Sequence, residues 1–241
     1  MNIEEKIEKI KNLKTIITSF LDGKKEIELG VFFGVNVITE PNVFFDTKGG
    51  VIVIGDNVTI RAGAILRGPL LIGGYCKIGG EIEHSIFESY SNKQHYGYVG
   101  HSYIGSWVNM GGGTSIATLK NTYSKIKVKG IDTGEQFFGA ILEDGVKTAV
   151  NSSIFCGKVI GAHSHIYGTV TEDIPAFVSH IRAGVMHELP FDVAEKAQIA
   201  MMKRRSLEYN DSIRKQMKEL FESTQVDRDK VGVIKGKLSF K

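Results

Sequence analysis

Branched aliphatic side chains recur at every sixth position from Ile54: Ile54, Ile60, Leu66, Ile72 and Ile78. A second register, Val58, Ala64, Leu70, Cys76 and Ile82, is apolar or small throughout. Glycines stand between them at Gly55, Gly63, Gly68, Gly73, Gly74, Gly79 and Gly80. An α-helix repeats every 3.6 residues, a strand every two, and strands seldom exceed about ten residues. Neither sustains this rhythm, whereas a β-solenoid does. Each repeat is then one short flat face whose apolar side chains point into a shared interior, and glycine serves corners where φ is positive. A single repeat cannot bury its apolar face alone, so the repeats must stack.

The rhythm starts loosely at Phe33, Thr39 and Phe45 and is strict to about Ile82. It breaks over 81–97, returns at Tyr98, Ile104, Met110 and Ile116, and breaks again over 117–137. It resumes at Leu142, Thr148, Ile154, Ile160 and Ile166 and closes at Ile174-Pro175. The two breaks read as excursions out of the solenoid, places where binding residues can sit. Residues 3–21 carry Ile3, Ile7, Ile10, Leu13 and Ile17 at helical spacing and read as a helix ended by Gly23. Such a helix is expected to cap the solenoid's open end. Residues 190–222 read as one long or two shorter helices, with Pro190 in the first turn. The tail from Val231 alternates weakly and reads as a strand or a free end. The expected organisation is a helical cap over 1–24, a solenoid over 25–182, and a helical extension with its tail over 183–241.

Composition narrows the function classes. Apolar residues make up 42% and charged residues 24% of the 241, as in soluble globular proteins. A net charge of +3 does not argue for nucleic acid. No apolar run approaches the roughly 20 residues of a membrane span. The Lys/Glu-rich N-terminus does not resemble a signal peptide. Cys76 and Cys156 fall inside the repeat pattern, have no metal-site spacing, and suit a reduced, cytoplasmic compartment.

A packed solenoid has no internal pocket, so a site must lie on its outer surface, between subunits. Three features offer chemistry. His95-Tyr96-Gly97-Tyr98 ends the first excursion, and histidine is the side chain suited to taking a proton near neutral pH. Asn109-Met110-Gly111-Gly112-Gly113-Thr114 strips side chains from a corner, so that a backbone or an extended ligand can approach closely. No Gly-Lys-Ser/Thr follows it, so it is not a phosphate loop. Positive charge suited to phosphate groups is scattered over Arg67, Lys120, Lys125, Lys127, Lys129, Arg182 and Lys203-Arg204-Arg205. For a metal, His101 has Ser106 where a second histidine would complete a His-x4-His pair, and His163 and His165 lack a third ligand. No metal is expected.

The hexad blocks, together with His95-x-x-Tyr98 and Asn109-x-Gly-x-Gly-Thr114, resemble the left-handed β-helix acetyltransferase domain of the bifunctional N-acetylglucosamine-1-phosphate uridylyltransferases. Ser91-Asn92-Lys93-Gln94-His95, the run from Val99 to Gly105, Leu119-Lys120-Asn121 and Asp144-Gly145-Val146-Lys147-Thr148 carry a closer similarity to archaeal and Bacteroidetes sugar-1-phosphate nucleotidylyltransferases. The resemblance covers roughly 30–182 and the C-terminal Arg-Arg helix. It implies a cytoplasmic homotrimer that transfers an acyl group from acetyl-CoA, a co-substrate, to an amino sugar phosphate at a subunit interface. In that reading His95 is the base on the amine, Tyr98 contacts the substrate and Asn109 positions the acceptor. Arg67, Lys93, Thr118 and Lys125 bind the substrate. Gly111, Gly112, Gly113, Ala149, Tyr167 and Arg182 bind the cofactor. Thr118 stands where the family commonly has a second asparagine, and the last repeat exits early near Tyr167-Gly168. No Gly-rich nucleotide fingerprint precedes residue 30, so uridylyl transfer is not expected of this stretch. The alternative is a non-catalytic trimeric scaffold for a separate nucleotidyltransferase subunit; a zinc lyase or hydratase is a third reading. Neither nucleic acid nor membrane is an expected partner.

Overall fold

A computed structural model describes residues 1–236 and Leu238. Lys237 and residues 239–241, which end the tail read as a strand, lie outside the described residues. The chain winds into a parallel β-helix of about eight coils. Each coil contributes one short strand to each of three faces. The first face stacks Val31–Phe33, Ile52–Ile54, the end of Ile65–Ile72, the end of Glu81–Phe87, Tyr103–Ile104, Ile141–Leu142 and Val159–Ile160. The second face runs from Ile38–Thr39 through Lys77–Ile78, Asn92–Lys93, Asn109–Met110, Lys147–Thr148 and His165–Ile166 to Val178–Arg182. The third holds Phe44–Asp46, the starts of the two long strands, Tyr98–Gly100, Ser115–Ile116, Ser153–Ile154 and Thr169–Val170.

The hexad positions become columns. Ile60, Ile78, Ile116, Leu142, Ile160 and Ile166 are all fully buried in one continuous core. The first expected excursion proves to be a contraction. Ile72 stands over Ile54, eighteen residues on, but Phe87 stands over Ile72, only fifteen on. The strand Glu81–Phe87 bends through His84 from the third face to the first, so the rhythm loses count although the coil remains. The second break is a true insertion. Its hairpin, Lys127–Val128 with Ile131–Asp132, buries Ile126 and Val128 against the outside of the first face.

The corner between the first and second faces repeats one backbone conformation in every coil. Asn36, Asn57, Tyr75, Tyr90, Trp107, Gly145, His163 and Phe177 all have φ between 55° and 73°. Glycine was expected at such corners, yet here asparagine and aromatic residues take most of them. Asn tolerates left-handed φ through its short polar side chain. The aromatics are compensated by stacking: Tyr75 on Tyr90 at 4.9 Å and Tyr90 on Trp107 at 4.4 Å.

The N-terminal segment is broken into α1 (Ile3–Lys11), α2 (Leu13–Ile16) and a 3-10 turn (Ile17–Phe20). It does not close the open end as expected. Ile7, Ile10, Leu13 and Ile17 pack on the outward side of the first face, against Val53, Ile86, Ile141 and Val159. The outward positions there are apolar, so the segment covers exposed hydrophobic surface along the flank. The first coil is edged instead by the antiparallel strand Lys25–Glu28. At the other end, Met186 of the antiparallel strand Val185–Glu188 and Val233 of the tail join the core. The C-terminal helices are α3 (Phe191–Lys203), α4 (Asp211–Ser223) and α5 (Gln225–Lys230). The fully buried Arg228 clamps them, donating to Glu188, to the Ala176 and Phe221 carbonyls, and to Thr224. None of the described helices is long and apolar enough to cross a membrane.

Burial holds three histidines neutral. It is the largest cause lowering His101 and His165 to about 4 and His163 to about 3. The unfolded chain takes up these protons near pH 6.5 and the folded chain does not, so stability is complete above pH 6.5 and is lost as pH falls toward 4. Thermal unfolding followed from pH 7 to pH 4.5 should show a falling Tm. His163→Asn, which keeps a residue tolerant of the left-handed corner, should flatten that slope; an unaltered slope would remove His163 from the effect.

Candidate functional site

The corner between the second and third faces gathers six of the thirteen predicted residues: His95, the three glycines 111–113, Ala149 and Tyr167. His95 and Tyr96 stand exposed on it. In the next coil the same corner is Gly111-Gly112-Gly113, tied to it by the Gly113 N–H, which donates to the Tyr96 carbonyl at 2.9 Å. The coil after that brings Ala149 to Asn151, and the Tyr96 hydroxyl reaches across to Asn151 Oδ1 at 3.1 Å. The Ala149 N–H then donates to the Ile166 carbonyl, placing Tyr167 one coil further. Three steps of about 4.8 Å therefore lead from His95 to Tyr167. Residues far apart in sequence become one lengthwise track.

Each glycine of the triplet serves a different need. A Cβ on Gly111 would stand 2.6 Å from the Ala149 backbone, so close coil packing excludes it. Gly113 has φ of 79°, and a Cβ there would collide with Asn151 Oδ1. Gly112 has no such conflict; its nearest neighbour would be His95 Cβ at 3.4 Å. Its N–H makes no hydrogen bond among the described residues. An exposed imidazole thus stands beside an unoccupied backbone donor on a corner without side chains.

Tyr98 lies on the third face. Its hydroxyl donates to the Glu83 carboxylate, with Thr118 also in contact, and its N–H donates to Ser115 Oγ at 3.2 Å. Burial and then the Glu83 hydrogen bond push the phenol well above its ordinary pKa. It is a neutral donor, not a phenolate. Asn109 points outward on the second face, as its spacing implies, and accepts from Asn92 Nδ2 at 3.3 Å.

Two substrate-binding expectations are corrected. Lys93 occupies an inward position, in the column of Ile78 and Met110, and is 1% exposed. Its ammonium donates to the carbonyls of Gly79, His95 and Tyr96 inside the solenoid, and burial lowers it to about 8. It holds the corner under His95 rather than touching substrate. Arg67 pairs with Glu81, with Asp46 at 3.9 Å, and Glu83 is its neighbour in the next coil. Three carboxylates around one guanidinium make a poor seat for a phosphate. Lys125 is exposed on the insertion, and its carbonyl is held by Lys120. Arg182 is likewise exposed, at the end of Val178–Arg182, the coil after Tyr167.

Tyr96, Asn151 and Glu83 were missed by sequence reasoning. Only Tyr96 had a signal, its place beside His95; Asn151 and Glu83 acquire their partners by coil stacking. A cleft of about 920 Å³ lies elsewhere, between Gly145 and His163 of the aromatic corner and the C-terminal helices. It is mostly apolar, and none of His95, Tyr98 and Asn109 lines it. Among the described residues no three His, Cys, Asp or Glu side chains converge as a metal site.

No family model matches the chain. It is 38% identical over 97 residues to a bifunctional sugar-1-phosphate nucleotidylyltransferase/acetyltransferase of Sulfurisphaera tokodaii, covering 38% of this chain and 24% of that protein. It is 31% identical over 126 residues to the bifunctional protein GlmU of a Synechococcus species, covering 51% and 25%. The chain thus spans about a quarter of the length of these relatives. Among solved structures, a UDP-N-acetylglucosamine acyltransferase of Francisella novicida aligns over 86% of this chain and 77% of its own, at 16% identity and a TM-score of 0.43.

Lys93→Met should destabilise the protein by about 1–3 kcal/mol for each corner carbonyl left without a donor. Denaturant unfolding measures this. A substrate KM that rose while stability stayed unchanged would instead restore Lys93 to ligand binding.

Proposed function

We propose that the His95 corner is the active centre of an acyl-CoA-dependent N-acyltransferase acting on an amino sugar phosphate, with acetyl-CoA as donor. The observation that supports this most is the track itself: His95, Gly112, Ala149 and Tyr167 follow one another in successive coils along one corner, and the glycine triplet leaves it without side chains next to His95. An extended thioester fits such a track, its carbonyl beside His95 and its pantetheine arm running toward Tyr167 and Arg182.

The chemistry follows from what stands there. A protonated amine is not a nucleophile. The unprotonated amine attacks the thioester carbon, and the His95 imidazole takes the proton that its nitrogen sheds as the new C–N bond forms. Negative charge grows on the carbonyl oxygen, and the Gly112 N–H is the donor free to meet it. The C–S bond then breaks, the amide forms, and the imidazolium returns the proton to the leaving thiolate. Holding the two substrates side by side supplies much of the remaining acceleration. Tyr98, whose hydroxyl donates to Glu83 and keeps its lone pairs for accepting, and Asn109 orient the acceptor. His95 and Tyr96 stand exposed on their corner. A neighbouring copy, as in a homotrimer, is the wall that would exclude water from it.

His95→Ala should lower acetyl transfer to glucosamine 1-phosphate by about 10²–10⁴-fold, with Tm and oligomeric state unchanged. Full activity in that variant would remove this corner from the reaction. Gly112→Val should fold, because the position has no backbone conflict, and should raise the KM for acetyl-CoA. An unchanged donor KM would place the donor on another track.

A further inference from the structure

The phosphate of an amino sugar phosphate needs a cationic seat close to His95, and Arg67 is already taken. The second face offers another. Lys77, Asn92 and Asn109 are in register on its outward side in three successive coils. The segment after α3 returns to this face, where Arg205 Nη2 donates to Asn92 Oδ1 at 2.8 Å. Asn92 in turn donates to Asn109 at 3.3 Å. Arg204 adjoins in sequence. Among the described residues no carboxylate pairs with Lys77, Arg204 or Arg205, whereas nearby Arg61 has Glu40 at 2.6 Å. Burial and then the repulsion of Arg205, Arg204 and Arg61 lower Lys77; burial and then Arg204 lower Arg205. Two cations are thus held at a loss across sequence-distant segments, beside the neutral amides of Asn92 and Asn109, which separate Lys77 from the next cation of the column, Lys147. An anion bound there would relieve the repulsion.

Position decides whose anion it is. Asn92 precedes His95 by three residues, at most about 10 Å of chain. The phosphates of acyl-CoA are separated from the thioester by the whole pantetheine arm. The track that would carry that arm also leaves His95 in the opposite direction, toward Tyr167, while Lys77 lies one coil before Asn92. A phosphate on an amino sugar is only a few bonds from the amine.

We propose that Arg205 and Lys77, on the second face, bind the phosphate of the acceptor, in place of Arg67; this rests on the acyl-transfer reading of the His95 corner. The C-terminal segment is thereby a specificity element that selects phosphorylated amines. Glu81, Glu83 and Asp46 keep the third face unfavourable to the same group.

Steady-state rates with acetyl-CoA, taken for glucosamine 1-phosphate and for glucosamine, test this. Arg205→Ala and Lys77→Ala should each lower kcat/KM for the phosphorylated amine, through KM, about tenfold more than for glucosamine. Arg205→Lys should recover much of the loss, because a cation remains. Arg67→Ala should leave the ratio between the two amines as in wild type. A ratio that survives Arg205→Ala, or collapses in Arg67→Ala, overturns the proposal and leaves acyl transfer standing. Calorimetry with glucosamine 1-phosphate alone separates the two readings. Binding lost in Arg205→Ala, without any acetylation in wild type, would support the phosphate seat while overturning the transferase. Neither binding nor acetylation would overturn both.

Discussion

The molecule depends on vertical register between coils. Each coil satisfies its backbone by donating to and accepting from the coils above and below, so a strand of two residues suffices only because it lies between two others. Ile54 over Phe33, Ile72 over Ile54 and Phe87 over Ile72 continue a single interior column. Residue count within a coil is negotiable; coincidence of the inward side chain is not. Coils therefore shorten at His84 or swell by a whole hairpin after Ile116 without losing the stack.

That register also makes the proposed site. No single coil contains a pocket, and no single segment contains the chemistry. His95, the Gly112 N–H, Asn151 and Tyr167 meet because the same corner recurs at each level. The interior contributes as well: Lys93 ties down the corner carbonyls of His95 and Tyr96 from within, beneath the imidazole. The outward charges divide between faces. Carboxylates surround Arg67 on the third face, and unpaired cations gather near Asn92 on the second. His95 lies on the corner between them.

The hexad pattern made the solenoid and its interior columns legible, because neither a helix nor a lone strand sustains a period of six. The alignment of His95 with the glycine triplet and Ala149 was not legible from the period, because the rhythm breaks over 117–137 and only the hydrogen bonds between coils set those heights. Lys93 was misread because a lysine in a polar run looks solvent-facing, and only register shows that it points inward. Arg67 was misread because its partners, Asp46 and Glu81, lie in the coils on either side. The N-terminal helix was legible as amphipathic, but its apolar stripe fits a flank as well as an end. The apolar outward residues of the first face decided for the flank.

The sequence by itself determined the period, the inward aliphatics and the corner glycines. These are local properties, each set by one residue's size or backbone freedom. Only the tertiary structure decided which corner faces which, where the charges are neutralised, and that Arg205 returns across a long stretch of chain to Asn92. Those depend on the number of residues in every intervening coil and on the path of the helices beyond the last one. Neither quantity is written in any single stretch of the chain.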